Sequence, residues 1–225
     1  MKILKPSSTL LIALFAMGLS ATTAVAQEKA ADESAQKVGI PGKFIRTASN
    51  DRGWVTLGYR LANTTVGEEW MLLEVVLAVP RGAPEVTITR SDIVLVTPDS
   101  KAVPLATQGE FQEANYLRAL NNRLKATRDP INYGPTSGGR SRPLNFFGDP
   151  SMPGTGALGK NEITVSQNLS ATGRIFFHVP GGIQYGFHNL DVDFGDSRIK
   201  VPFDIFTKES EKEFEKKLKE LKKKD

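Results

Sequence analysis

Apolar and polar positions alternate along much of this chain. Val55, Leu57, Tyr59 and Leu61 are separated by Thr56, Gly58 and Arg60. That period of two predicts a half-buried strand. Asn63 to Gly67 reads as a turn. Trp70 to Val79 is an apolar run interrupted at Glu74, which predicts a central strand covered on both faces. Pro80 to Pro84 makes a turn. Val86 and Ile88 mark a short strand, and Ile93 to Val96 another. Pro98 to Lys101 is a further turn signal, after which Val103 and Leu105 resume the sheet.

The rhythm changes at Gly109. Phe111, Ala114, Leu117, Leu120 and Leu124 recur every three or four residues, so Glu110 to Ala126 is expected as an amphipathic helix. The next 33 residues, Arg128 to Lys160, have no period and hold twelve Pro or Gly. A loop of that length in a compact domain is usually functional or disordered. Strand patterns return at Ile163 and Val165, and again at Ile175, Phe177 and Val179 before Pro180-Gly181-Gly182.

The last hairpin is the sharpest expectation. Leu190, Val192 and Phe194 alternate with Asp191 and Asp193, while Ile199, Val201, Phe203 and Ile205 alternate with Lys200 and Asp204. Gly195-Asp196 suits a two-residue primed turn. That register sets Asp193 against Arg198 and Asp191 against Lys200 on the solvent side, with Val192 against Ile199 on the core side. Thr207 to Asp225 is expected as a charged helix. It opens on a Ser210-x-x-Glu213 capping box and carries a narrow stripe of Phe214, Leu218 and Leu221. Several short strands with one helical insertion point to a mostly β, two-layer β-sandwich, ordered over residues 44–206 with its insertion at 109–160.

The N-terminus changes the cellular picture. Lys2 and Lys5 form a basic n-region, Leu10 to Leu19 an uncharged apolar h-region, and Ala24-Val25-Ala26 an A-x-A cleavage site. The run falls short of the roughly 20 apolar residues a spanning helix needs. Residues 1–26 are therefore expected as a signal peptide and 27–43 as a flexible leader. The product would be exported to the periplasm or beyond, with no transmembrane segment after cleavage. Cleavage leaves 199 of the 225 residues and removes two lysines and no acids, bringing the net charge from +4 to +2. A near-neutral exported domain is a poor nucleic-acid binder. The chain has no cysteine. That removes lipoprotein attachment, thiol catalysis, Cys-ligated zinc and iron–sulfur chemistry.

Three phrases carry a resemblance. They are the long apolar strand Trp70 to Val79, then Asp92-Ile93-Val94-Leu95 with its polar turn Asp99-Ser100-Lys101, then Gly173-Arg174-Ile175-Phe176-Phe177-His178-Val179-Pro180 before the closing hairpin. Over about residues 53–206 the chain resembles bacterial exported immunoglobulin-like domains of unknown function. The resemblance implies a sandwich with an adhesive or partner-binding role and supplies no catalytic residue.

Candidate chemistry is sparse. His178 and His188 are the two histidines, and nothing in their spacing demands that they converge on a metal. There is no G-x-S-x-G elbow and no phosphate-binding glycine motif. Asp191, Asp193, Asp196 and Asp204 read as a solvated face rather than a calcium site, because Arg198 and Lys200 oppose two of them. No cofactor is expected. The insertion exceeds what a bare sandwich needs. Arg118, Arg123, Arg128, Arg140 and Arg142 lie in it beside Tyr133, Phe146 and Phe147. Arginine forks onto carboxylate or phosphate, and aromatic rings bury area at little entropic cost, so this set suits a binding surface. The competing reading has the arginines solvated and the aromatics tucked into the core. The expected function is a non-enzymatic binding module contacting an envelope protein partner through the insertion. The alternatives are a binder of an anionic small ligand or envelope polymer, and last a hydrolase centred on a histidine.

Overall fold

The computed structural model describes residues 36–114, 140–148 and 159–221. Its strands are β1 (Lys37–Gly42), β2 (Ile45–Ser49), β3 (Trp54–Gly58), β4 (Trp70–Ala78), β5 (Val86–Thr89), β6 (Ile93–Val96), β7 (Ala102–Pro104), β8 (Arg140–Leu144), β9 (Glu162–Val165), β10 (Leu169–His178), β11 (Gly186–Asp193) and β12 (Arg198–Ile205). Three helices accompany them: α1 (Arg60–Thr64), α2 (Gln108–Glu113) and α3 (Lys208–Leu221). The strands form a six-stranded sheet ordered β1-β2-β3-β4-β10-β8, a four-stranded sheet ordered β12-β11-β6-β7, and a β5-β9 pair.

The two main sheets share one apolar core. Val55 and Leu57 of β3, Leu73, Val75 and Leu77 of β4, and Ile175 and Phe177 of β10 belong to the same buried cluster as Leu95, Leu190, Val192, Val201 and Phe203. The protein is therefore mostly β, as the strand patterns indicate. β4 lies between β3 and β10, and its residues from Met71 to Ala78 are all buried. On its other face Leu72 joins Leu61 and Phe176 in a second apolar cluster. This double coverage explains why Trp70 to Val79 is nearly continuous apolar sequence.

The last hairpin has the expected register. Asp193 pairs with Arg198, Asp191 with Lys200, and Val192 with Ile199. Gly195 takes φ of +75° and Asp196 does not take positive φ, which is the pattern of a type II′ turn. Arg198 grips Asp193 through two bonds of 2.7 Å. Asp191 departs from expectation. It lies between Val94 and Lys200 on a central strand and is buried, 8% exposed, rather than solvated.

Other boundaries shift. Strand pairing extends N-terminal to the expected Phe44, because β1, within the expected leader, pairs with β2. The strand at Val55 ends at Gly58, and Leu61 sits on the one-turn helix α1, where it reaches the second cluster. The insertion helix starts at Gln108, because Thr107 caps it. The Thr107 hydroxyl accepts from the Glu110 N–H at 3.2 Å, and Glu110 accepts from the Thr107 N–H at 2.7 Å. The rest of the expected helix, from residue 115, lies outside the described residues. Within the expected 128–160 loop, Arg140–Leu144 forms β8, which runs parallel to β10. Gly173 permits that pairing: a Cβ there would meet Leu144 Cβ at 2.7 Å and its carbonyl oxygen at 2.9 Å. The C-terminal helix is capped by Thr207, whose hydroxyl accepts from the Ser210 N–H at 3.2 Å, rather than by Ser210. Phe214 docks that helix against Phe206, ring centroids 4.9 Å apart, and Lys43 pairs with both Glu211 and Glu215.

Candidate functional site

The 109–160 insertion is tied to the β5–β6 connection chiefly through Arg90. Arg90 occupies a 3-10 turn between β5 and β6, braced by Thr89 and Asp92, whose Oδ2 accepts from the Thr89 N–H and hydroxyl, each at 2.7 Å. Its guanidinium donates to the carbonyls of Ala106, just before the insertion, and Phe146, on its returning stretch. The guanidinium carbon also lies 4.6 Å from the Phe147 ring centroid and 5.9 Å from that of Phe146. The Arg90 N–H donates to Asn161 O at 3.1 Å. Burial pushes the guanidinium below its usual value, and nearby Glu110 opposes that shift. The thread is continued by Gln108. Its side-chain amide donates to Gly148 O at 3.2 Å and accepts from Gly148 N–H at 3.1 Å. Lys160 N–H then donates to Asn145 O at 2.7 Å. The emerging and returning stretches of the insertion are thus pinned to each other and to the β5–β6 connection.

The described candidate residues divide between core and surface. Phe146 is fully buried and joins the main core, so it is not an exposed binding residue. Phe147 is half-buried. It packs with Phe111 and Phe176 at centroid distances of 4.9 and 5.0 Å on the outer face of β10. Phe146 is thus tucked into the core, whereas Phe147 stays half-exposed over the second apolar cluster. Arg140 is exposed at the start of β8. Arg142 is half-buried. One of its terminal nitrogens donates to Thr164 O, while its Nε is buried with no hydrogen-bond partner. A cleft of about 380 Å3 beside it is lined by Arg142, Lys160, Glu162, Ile163 and Thr164. Arg118, Arg123, Arg128 and Tyr133 lie outside the described residues.

The two histidines do not converge. His178 is on β10 of the six-stranded sheet, stacked on Trp70 at 5.2 Å and with its Nε2 3.5 Å from Glu69. His188 is on β11 of the four-stranded sheet, 1% exposed. Its ring stacks on Phe203 at 5.3 Å, Nδ1 lies 3.0 Å from Gly186 O, and Nε2 has no partner. Burial holds the His188 imidazole below its ordinary value, against the raising influence of Gly186 O, Asp204 and Asp99. Among the described residues no group of three His, Asp or Glu side chains is placed to hold a metal.

Sequence reasoning missed Arg90, the residue that organises this region. Its local signal is the Thr89-x-x-Asp92 spacing around it, which marks a capped turn. A second cation it overlooked is Arg46, 3% exposed, whose guanidinium lies 5.1 Å from the Tyr59 ring and 5.0 Å from that of Phe214. Comparison with protein-family models, with curated proteins and with solved structures returns no match for this chain.

Proposed function

We propose that the protein is an exported, non-enzymatic binding module, an immunoglobulin-like sandwich that offers its 109–160 insertion to a protein partner in the bacterial envelope. The observation that carries this reading is the rooting of the insertion by Arg90 and Gln108. A surface segment held at both ends to a rigid scaffold loses less entropy on binding than a free tail. Export rests on the n-region, h-region and A-x-A site. The first described residue, Gln36, lies ten positions beyond Ala26, so cleavage there removes no described strand.

The test is crosslinking in intact cells followed by mass spectrometry of captured protein. Because β8 and Phe146 belong to the fold, the perturbation spares them and replaces residues 115–139 by Gly/Ser of equal length. The expected result is one discrete partner captured by the native chain and lost by the replacement, with the thermal midpoint kept. Capture unchanged by the replacement would refute the reading.

A second reading, an anionic ligand gripped by basic side chains, is favoured by one observation. Arg142 and Lys160 line a cleft of about 380 Å3. Glu162 on the same wall opposes it. Such binding weakens steeply with salt, because exposed charges are screened, and salt-insensitive affinity would count against it.

A further inference from the structure

We propose that the solvent face of α3 is a peripheral membrane contact, a row of lysines that holds the protein against a bilayer surface of anionic phospholipid headgroups. α3 runs from Lys208 to Leu221. Its half-buried side chains are Ser210, Glu211, Phe214, Glu215 and Leu218, and they mark the face turned to the sandwich. Phe214 meets Phe206 there, and Lys43 takes both Glu211 and Glu215. Lys208, Lys212, Lys216 and Lys219 are all exposed. The helical repeat puts these four within about 80° of one another, opposite Phe214, in a row about 16 Å long.

The charge balance on this face is positive. The exposed side chains of α3 are five lysines, the fifth being Lys217, and three glutamates, Glu209, Glu213 and Glu220. The glutamates fall together on one flank of the row. The other two carboxylates of the helix are paired with Lys43 on the inner face. Among the described residues none of the four lysines forms an ion pair, though Glu215 attracts Lys219. Lys222, Lys223 and Lys224 follow in the sequence, against Asp225. Lysines one turn apart, as at 208, 212 and 216, repel each other, so the row weakens the helix instead of bracing it. Helix stability therefore does not account for it.

The side-chain types select the occupant. Every cation from position 208 onward is lysine and none is arginine, and no exposed side chain of α3 is aromatic. A specific protein surface is gripped by arginine forks and buried rings. A layer of headgroup phosphates asks only for positive charge on flexible stems, spread along a line. The apolar side chains of α3 face the sandwich, so the contact is electrostatic and does not insert into the acyl layer. The exported reading fixes only which membrane is met.

The experiment is co-sedimentation with vesicles of one part phosphatidylglycerol to about two parts phosphatidylcholine, at about 0.1 M salt. The protein used begins at Gln27. It keeps every described element and leaves out the apolar Leu10 to Leu19 run, which would bind lipid by itself. Lys208→Gln, Lys212→Gln and Lys216→Gln are combined in one variant. Lys37→Gln, Arg81→Gln and Lys101→Gln are combined in a second, which has the same net charge and alters exposed residues away from α3. Thermal melts check that both keep the native midpoint. The expected result is binding to the mixed vesicles and none to phosphatidylcholine alone, weakened at least about tenfold by the α3 variant and much less by the second. Equal weakening by the two variants, or equal binding to phosphatidylcholine alone, would overturn the proposal. So would absence of vesicle binding, and binding of soluble polyglutamate in its place would assign the row to an acidic polymer. The assay needs neither export nor the insertion, so its outcome is separate from that of the partner-capture test.

Discussion

Replacing Arg90 by Met tests whether the insertion is held by that one side chain. Methionine keeps most of the apolar stem and removes the guanidinium. Two charge-assisted hydrogen bonds are lost, to Ala106 O and Phe146 O, together with the contact to the Phe147 ring at 4.6 Å. A hydrogen bond to a charged partner contributes about 1.5–3 kcal/mol. The half-buried setting takes the low end, giving about 3 kcal/mol for the pair. The ring contact adds about 0.5–1 kcal/mol, and water reaching the freed carbonyls offsets part of the total. The expected loss is about 2–3 kcal/mol, read as a lower urea midpoint with an unchanged slope. The loss should also be local. Hydrogen exchange at Gln108–Glu113 and Asn145–Phe147 should accelerate more than exchange in β4 or β11. A midpoint and an exchange pattern both equal to those of the native chain would refute the reasoning.

Two further predictions concern the scaffold. His188 is buried in its neutral form, with its folded value lowered, so the unfolded chain takes up its proton first as pH falls. Its contribution to stability is complete above the unfolded value of about 6.5 and declines below it, by at most about 1.4 kcal/mol per pH unit. His188→Phe keeps a ring against Phe203 and should flatten the stability curve between neutral and mildly acidic pH. Parallel urea midpoints for the two proteins across that range would count against a neutral buried His188. Gly173→Ala drives a methyl group into Leu144. It should cost about 1–3 kcal/mol and raise exchange across Arg140–Leu144 while leaving the β11–β12 hairpin protected. A thermal midpoint equal to that of the native chain would show that β8 does not need the glycine.

The hairpin was legible because three independent signals agreed on it: turn chemistry, opposed charges and the apolar period. β8 was not, because its stability lies in its neighbour. Arg-Ser-Arg-Pro-Leu has no strand pattern of its own, and its partner β10 begins 25 residues after it ends. The pairing depends on Gly173 and on a side-chain bond of 2.9 Å between Ser141 and Thr172. Arg90 was hidden for a similar reason. Its acceptors are backbone carbonyls at positions 106 and 146, and carbonyls carry no sequence signature. The error at Leu61 is one of period, since a run as short as Tyr59 to Leu61 satisfies strand and helix spacing alike. Of the candidate site, the aromatics at 146 and 147 were visible but their direction was not. Phe146 fills the core and Phe147 completes a ring cluster with Phe111 and Phe176.

The sheet edges bear on where a partner can attach. Each outermost strand of the two main sheets contains a proline: Pro41 in β1, Pro143 in β8, Pro202 in β12 and Pro104 in β7. None of their interior strands does. Proline offers no N–H to an added strand. The edges are blunted further. β1 has a register break between Gly39 and Gly42. At β12 the Gln36 side-chain amide takes both backbone groups of Lys200, at 2.6 and 2.8 Å, and Asn63 accepts from the Phe206 N–H at 2.6 Å. Strand addition, a common route by which a β-sheet protein captures a peptide or a second copy, is therefore disfavoured at the main-sheet edges formed by the described residues. Recognition is then left to side chains rather than to backbone pairing. In the proposed function these are side chains of the 109–160 insertion rooted by Arg90.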